Sequence, residues 1–423
     1  MLIQFNFKNF KSFRDETILD LSATDETDFS DRLVNVGDEK LLPIVAIYGA
    51  NACGKSNVYQ AFSYMSKYVV ESFKYGDEDG GFDKYRPTPF LFDSVSARAE
   101  SSFEVYFTLS GDDSAKIYNY GFCVNAEGVT EEWLNYKKEG KEKYTRVFYR
   151  GLPDEEMILS GLPASGQDNI RTALEKQVLI VSLGSKLKID ICKSVRDWFL
   201  ANQFADFGNP VSNYFMSHIL PKGFVANKSV QKNVVNFFSS FDNHIKDFRV
   251  KKVPQDDGKK EGKYTITALH KMVGSDNMAE IPLGLESAGT LKMFALYPVL
   301  QEVLARGSVL FVDELNARLH PLLVRNILRI FLDPKINIYH AQLIFTTHDT
   351  WQLANNLLRE DEIWFVEKDE EGMSTLYSLA DFVDDEMNGD KDYALNYLIG
   401  KYGAIPTLKD IDIGEIIDYG KKR

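Results

Sequence analysis

The stretch from Gly49 to Ser56 constrains the fold of this chain more than any other feature. It matches G-x-x-x-x-G-K-[ST], the pattern of a phosphate-binding loop (P-loop), in which glycines let consecutive backbone N–H groups point at phosphates. Lys55 would reach the β- and γ-phosphates, and the Ser56 hydroxyl would ligate Mg²⁺. An apolar run over 42–48 precedes the loop and a helical pattern over 56–70 follows it. The sequence therefore predicts a strand–loop–helix unit whose helix N-terminus favours an anion.

A pair of acids ends a second apolar strand. Four apolar residues over 309–312 are followed directly by Asp313 and Glu314. This is the Walker B pattern, in which Asp313 would hold Mg²⁺, directly or through water, and Glu314 would orient and deprotonate the attacking water. A strand that runs into a surface turn is the alternative. The phosphate-binding loop in the same chain favours the catalytic interpretation.

Another candidate phosphate site lies at a predicted helix start. Ser287 and Gly289 open a helical pattern over 290–304, and small residues with free N–H groups at a helix start suit a phosphate. A simple helix N-cap would explain the same residues. Further along, an apolar strand over 342–347 leads to His348.

The order of these segments resembles that of ABC-type ATPases of the SMC and RecF kind. Two predicted strands, 2–8 and 16–22, enclose a turn over 9–14, and in those proteins a turn of this kind lies beside the bound nucleotide. His348 falls where they place a switch histidine that contacts the γ-phosphate. The whole chain resembles the bacterial RloA and AbiL type, found in restriction-linked and abortive-infection operons. The resemblance is carried by the N-terminal turn and by 49–57, 286–290, 313–321, 346–348, 363–368 and 402–406.

This resemblance implies an α/β fold, a P-loop NTPase of the ABC-ATPase type with an antiparallel β lobe and an inserted helical lobe. The nucleotide-binding core is expected over 1–75 and 275–380. The antiparallel β lobe is expected over 76–160 and a helical and hairpin insertion over 161–274. Residues 381–423 are expected to form a C-terminal tail packed on the core.

The resemblance also assigns roles to residues around ATP and Mg²⁺. Glu314, His348 and Lys55 are predicted to be catalytic, and Ser56 and Asp313 to hold the metal. The residues predicted to bind ATP are Gly49, Asn51, Gly54, Lys55, Ser56, Asn57, Lys11, Ser12, Phe13, Ser287 and Gly289. The glutamine of the Q-loop is left unassigned.

Two positions depart from the family pattern. Asn316 stands where an acid is usual, in a turn that ordinarily communicates across a dimer. Cys53 stands where a small residue or serine is usual. The positive potential of the loop predicts a reactive thiolate at Cys53 with a lowered pKa. The alternative is an inert thiol that points into packed protein.

The resemblance implies that two subunits bury two ATP molecules head to tail, Ser287 completing the site of the second subunit. The first hypothesis is a slowly hydrolysing homodimeric or higher-oligomeric switch in anti-phage defence, controlling an effector from an adjacent gene, a nuclease or a toxin. The alternative is a RecF- or SMC-like DNA-binding ATPase in DNA repair or maintenance. A nuclease of the OLD type is disfavoured, because the segment after His348 is shorter than its TOPRIM domain. Asp410 and Asp412 only imitate that domain's D-x-D motif.

Charge and composition restrict the partners. The net charge of −13 argues against a surface broadly coated for nucleic acid, but leaves a local basic groove open. A predicted hairpin over 250–269 is locally basic because of its lysines. For these lysines, a role as solvated surface charges is preferred over contact with a nucleic acid. The three cysteines show neither metal spacing nor a pairing pattern, which favours the cytoplasm. No apolar run approaches membrane-spanning length, and no membrane partner is expected.

Overall fold

The computed structural model describes residues 1–75, 85–109, 116–151, 156–216, 219–239, 244–252, 264–355, 357–382 and 392–406. Within these ranges the strands are β1 (Leu2–Lys8), β2 (Thr17–Asp20), β3 (Val34–Val36), β4 (Glu39–Leu41), β5 (Ile44–Tyr48), β6 (Ser101–Phe107), β7 (Ile117–Val124), β8 (Val129–Lys137), β9 (Thr145–Gly151), β10 (Glu156–Ile158), β11 (Gln203–Asp206), β12 (Ile245–Lys252), β13 (Tyr264–Lys271), β14 (Met278–Pro282), β15 (Val309–Asp313), β16 (Gln342–Thr346), β17 (Ile363–Lys368) and β18 (Ser374–Ser378). The α-helices are α1 (Lys55–Glu71), α2 (Ala164–Ala173), α3 (Ile180–Lys186), α4 (Asp190–Ala201), α5 (Pro210–Met216), α6 (Lys228–Ser239), α7 (Ala288–Arg306), α8 (Pro321–Leu332) and α9 (Tyr393–Leu398).

A mostly parallel sheet forms the centre of the molecule, with the strand order β11-β15-β16-β5-β17-β18. Only β18 among these strands runs antiparallel to its neighbour. Every residue of β5, β15 and β16 is buried, as expected for parallel strands covered on both faces. Their side chains alternate between two apolar cores: Val45 and Ile47 belong to one, Ile44 and Ala46 to the other.

Helices cover the two faces of this central sheet differently. The first core contains residues of α1, and the second contains residues of α7 and α8. The helix after the P-loop and the helix that begins at Ala288 therefore lie on opposite faces. Because β11, β15, β16 and β5 are parallel, their carboxyl ends meet at one edge, where ligands bind in sheets of this kind.

A second, antiparallel sheet packs on the other side of α1, with the order β10-β9-β8-β7-β6-β1-β2 in the described part of the chain. Phe62 of α1 contacts both sheets, with ring centroids 5.0 Å from Phe5 of β1 and 6.3 Å from Phe311 of β15. The predicted strands 2–8 and 16–22 are confirmed as β1 and β2, and β6, β7 and β9 lie within the range 76–160 where antiparallel strands are expected. The structure adds β8 between β7 and β9.

One helical prediction is wrong. The apolar spacing over 230–248 suggests a single helical face, but α6 ends at Ser239, and Ile245 and Phe248 lie on β12. The pairing of β12 with β13 shifts register between Ile245 and Asp247. This irregularity puts two buried residues three positions apart and so imitates the helical period. The hairpin of β12 and β13 is as predicted, and its basic tip over 253–263 lies outside the described residues.

The described part of the C-terminal segment contacts the central sheet. Tyr397 of α9 packs on Tyr48 with ring centroids 6.1 Å apart, and Tyr402 packs on Phe365 at 5.6 Å. The acidic stretch over 384–386 and the D-x-D over 410–412 fall outside the described residues. Across the part of the chain that is described, no helix combines the length and apolar character needed to cross a membrane.

Candidate functional site

Glycines shape the loop that follows β5. Gly49 and Gly54 have φ angles of 149° and 120°, which side-chain-bearing residues rarely adopt. A Cβ added at Gly54 would lie 2.5 Å from Ser374 Oγ, and one at Gly49 would lie 2.4 Å from the carbonyl oxygen of Val366. The loop conformation therefore requires glycine at both positions.

Lys55 closes this loop from within. Its Nζ donates to the carbonyl oxygens of Gly49 at 2.7 Å and Ala50 at 2.8 Å. No side chain caps α1 at Gly54, so the first N–H groups of the helix are available to an anion. Asn51 is exposed in the loop, and Ser56 is half-buried in the first turn. These groups fit the phosphates of a nucleotide.

The N-terminal turn lies against the P-loop through Ser12. Its hydroxyl accepts from Asn57 Nδ2 at 2.7 Å and lies 2.7 Å from Ser374 Oγ, which donates to the carbonyl oxygen of Cys53 at 2.5 Å. Lys11 donates to Gln60 of α1. The structure thus joins the turn, the P-loop and β18 in one hydrogen-bonded group. Phe13 is fully buried, edge-on to Phe7 at 5.0 Å, and its side chain fixes the turn.

Ser374 has no signal in the sequence, because a serine in a short edge strand matches no motif. Only the antiparallel pairing of β18 with β17 brings it to the loop. It is a residue that sequence reasoning missed.

The buried environment of Cys53 contradicts the prediction of a reactive thiolate. The residue is only 4% exposed, and its Sγ would lie 2.7 Å from a Cβ at Gly49. Burial raises the pKa of the Cys53 thiol, and the opposing effect of nearby Lys55 is smaller. The alternative of an inert, packed thiol is therefore the one that the geometry favours.

The two acids after β15 are held by Thr346 of the neighbouring strand. Thr346 Oγ1 donates to Asp313 Oδ1 at 2.5 Å and accepts from the Glu314 N–H at 2.8 Å. Glu314 has a φ of 53°, a left-handed conformation that is strained for this residue type. A Cβ added at Gly208 would lie 2.9 Å from the carboxyl carbon of Glu314, so the small residue leaves room for that side chain.

A third carboxylate joins this edge. Asp206, the last residue of β11, pairs in register with Asp313. Burial and then the charge of Asp313 raise the pKa of Asp206. The sequence analysis missed it, because a four-residue strand with two apolar members is too short to resemble the Walker B pattern. Asp206 and the loop from Asp206 to Gly208 lie at the carboxyl end of β11, next to the Walker B acids at the end of β15.

His348 lies at the same edge and contacts Asn316. Its Nε2 is 3.1 Å from Asn316 Nδ2, while Asn316 Oδ1 accepts from Thr347 Oγ1 at 3.0 Å. The strands β5, β15 and β16 thus bring the P-loop with Lys55, the acids Asp313 and Glu314, and His348 to one edge of the sheet.

Ser287 and Gly289 lie at the start of α7, where a Cβ added at Gly289 would be 3.4 Å from the carbonyl oxygen of Arg318. Ser287 Oγ accepts from the Thr290 N–H at 3.1 Å, so within one chain it is a helix N-cap. Lys292, one turn into α7, donates to the carbonyl oxygens of Leu315 at 3.0 Å and Ala317 at 2.5 Å. Burial lowers the pKa of Lys292 to about 7.

The residues present fit Mg²⁺ as a companion of a nucleotide. Mg²⁺ in proteins is usually held by one or two carboxylates, phosphates and water. Asp313 and the Ser56 hydroxyl supply such oxygens at this edge. Among the described residues no cluster of three or more His, Cys, Asp and Glu side chains is arranged to hold a metal by itself.

One protein family matches most of this chain. The family model described as "AAA domain, putative AbiEii toxin, Type IV TA system" matches residues 44–350. A search of curated proteins found no match. Among solved structures, a similar one is titled "Crystal structure of the SmcHead bound to the C-winged helix domain of ScpA". It shares 16% identity at a TM-score of 0.42, over 92% of this chain and 99% of that one.

Proposed function

The chain belongs to the AAA domain family described as a putative AbiEii toxin of type IV toxin–antitoxin systems, and from this premise we propose a finer role. Its fold is that of an ABC-type P-loop ATPase with a large antiparallel sheet. The proposed role is a dimeric, ATP-binding and slowly hydrolysing switch of the RloA and AbiL type. It acts in anti-phage defence in the cytoplasm and controls an effector protein.

One observation carries the ATPase proposal: the P-loop, both Walker B acids and His348 follow three neighbouring parallel strands. Lys55 exchanges its bonds to Gly49 and Ala50 for the β- and γ-phosphates. Glu314 orients the attacking water and accepts its proton, while His348 contacts the γ-phosphate. A Mg²⁺ ion held by Ser56 and Asp313 would neutralise phosphate charge. Thr346 keeps the carboxylate of Asp313 in place.

The placement of α1 and α7 supports a dimer. These helices cover opposite faces of the central sheet, and each begins with residues suited to phosphate. A second copy would therefore bring its Ser287 and Gly289 to the P-loop of the first, giving two composite sites.

We infer the effector role from the resemblance to the RloA and AbiL type; the family description names a putative toxin and a type IV toxin–antitoxin system. A nuclease or toxin encoded by an adjacent gene is the proposed partner. The second candidate is a RecF- or SMC-like DNA-binding ATPase. Exposed Lys251 and Lys252 at the end of β12 favour that candidate, because neighbouring exposed lysines suit a phosphate backbone.

Substitution of Glu314 by Gln tests the proposed function. Gln keeps the shape of Glu but cannot accept the proton, so Glu314→Gln should bind ATP, lose about 100-fold or more in turnover and elute as an ATP-dependent dimer. Lys55→Ala is the matched control and should neither bind ATP nor dimerise. Normal turnover by Glu314→Gln would remove Glu314 as the base.

The effector proposal needs a separate measurement. The purified chain should co-elute with the product of an adjacent gene, and Mg·ATP should change that complex in the wild type but not in Lys55→Ala. Tight binding to duplex DNA, with no binding to such a product, would favour the second candidate.

A further inference from the structure

A directed chain of hydrogen bonds ends at His348. The backbone N–H of Asp349 donates to Thr347 Oγ1 at 3.0 Å. The Thr347 hydroxyl proton is then free to be donated to Asn316 Oδ1, 3.0 Å away. With its oxygen so used, the amide of Asn316 presents its NH₂ group to His348 Nε2 at 3.1 Å. An NH₂ group can only donate, so Nε2 must accept.

The turn that carries Asn316 is fixed from several sides. Lys292 of α7 binds the carbonyl oxygens of Leu315 and Ala317, the residues on either side of Asn316. The Leu315 N–H donates to the carbonyl oxygen of Thr346 at 3.1 Å. The position of the amide is therefore set by the backbone of the turn and by the helix that begins next to Ser287.

We propose that Asn316 is a positioning residue that holds His348 as the tautomer with its proton on Nδ1 and with Nε2 as the acceptor. If the proton were on Nε2, the Nε2–H group of His348 and the NH₂ group of Asn316 would be two donors facing each other. Since Lys292 joins the same turn to α7, the histidine of one ATP site is linked within the subunit to the helix that would serve the other site.

The tautomer of His348 does not depend on the proposed function. Its effect on ATP binding does rest on that function. To donate from Nε2 to a γ-phosphate, His348 must leave Asn316 and take up a proton from water at Nε2, while it either releases the Nδ1 proton to water or becomes the imidazolium cation. Breaking the hydrogen bond between His348 and Asn316, if it has ordinary net strength, weakens nucleotide binding by about five-fold. Asn316→Ala should accordingly bind ATP about five-fold more tightly than the wild type.

The tautomer can be measured without nucleotide. The chain has six histidines, so long-range ¹H–¹⁵N spectra of ¹⁵N-histidine-labelled protein at alkaline pH are assignable by comparison with His348→Gln. The wild type should show the Nδ1–H form at His348. Asn316→Asp replaces the donor by an acceptor of the same shape and should shift the proton to Nε2. Thr347→Val frees the amide to turn over and should give both forms.

A wild-type Nε2–H form, or a tautomer unchanged in Asn316→Asp, would overturn the inference, even if the chain hydrolyses ATP normally. Loss of ATPase activity in Glu314→Gln with the tautomer as expected would leave both conclusions standing. A protein without ATPase activity that still showed the Nδ1–H form would refute the proposed function alone.

Discussion

Asp206 and Asp313 lie directly opposite each other at the ends of two neighbouring parallel strands. Two carboxylates at one sheet edge repel each other, and the pKa of Asp206 is raised by burial and by Asp313. A divalent cation would relieve this repulsion. We therefore predict that Asp206 contributes to the binding of Mg·ATP, either at the metal or through its water.

Asp206→Asn should raise the Mg²⁺ concentration required for half-maximal ATP hydrolysis. A carboxylate near a cation contributes about 1–2 kcal/mol at the dielectric of a partly exposed site, which corresponds to roughly 5–30-fold. A magnesium titration of the ATPase rate measures the shift. Asp168→Asn, on an exposed face of α2, is the control and should leave the titration unchanged. A normal magnesium requirement in Asp206→Asn would assign Asp206 a structural role only.

Ser287→Arg should abolish hydrolysis and leave ATP binding by the single subunit largely intact. A bulky side chain at the start of α7 would block the partner's γ-phosphate. Mixed with Lys55→Ala in equal amounts, it should recover part of the wild-type rate, because a mixed dimer keeps one intact composite site. If mixed dimers form and no activity returns, the two motifs do not act across subunits.

Ser374→Ala should weaken ATP binding. The hydroxyl joins Ser12 to the carbonyl oxygen of Cys53, and the loss of two hydrogen bonds costs about 1–3 kcal/mol of loop organisation. Isothermal titration should show a Kd about 5- to 100-fold higher. Thr375→Ala, the exposed neighbour on β18, is the matched control. Equal affinities in the two variants would show that the loop holds its shape without Ser374.

Cys53 should react slowly with a maleimide in the folded protein. Burial both covers the thiol and raises its pKa, so little thiolate is available. Peptide mapping after brief labelling should find Cys53 no more modified than the buried Cys123 and Cys192, with or without Mg·ATP. Rapid labelling that Mg·ATP prevents would restore the reactive interpretation. Cys53→Ser should hydrolyse ATP at a nearly normal rate.

The sequence predicted the local structure correctly where a motif is formed by consecutive residues. The P-loop, the Walker B strand and the strand before His348 are local patterns, and the structure places each at the expected kind of strand end. Asp206 and Ser374 could not be found this way, because each reaches the site only through strand pairing with residues far away in the chain. The register shift in β12 misled the helical prediction by changing the spacing of buried residues.

The strand order of the central sheet has a consequence for synthesis on the ribosome. The P-loop strand β5 pairs with β16 and β17, both of which are translated much later. Roughly 300 residues separate β5 from β16, which takes about 15–60 s at ordinary elongation rates. During that time the apolar strand before the phosphate-binding loop has neither of its neighbours. Nascent chains should therefore be unable to hold ATP until β16 has emerged, and they expose a segment that chaperones bind.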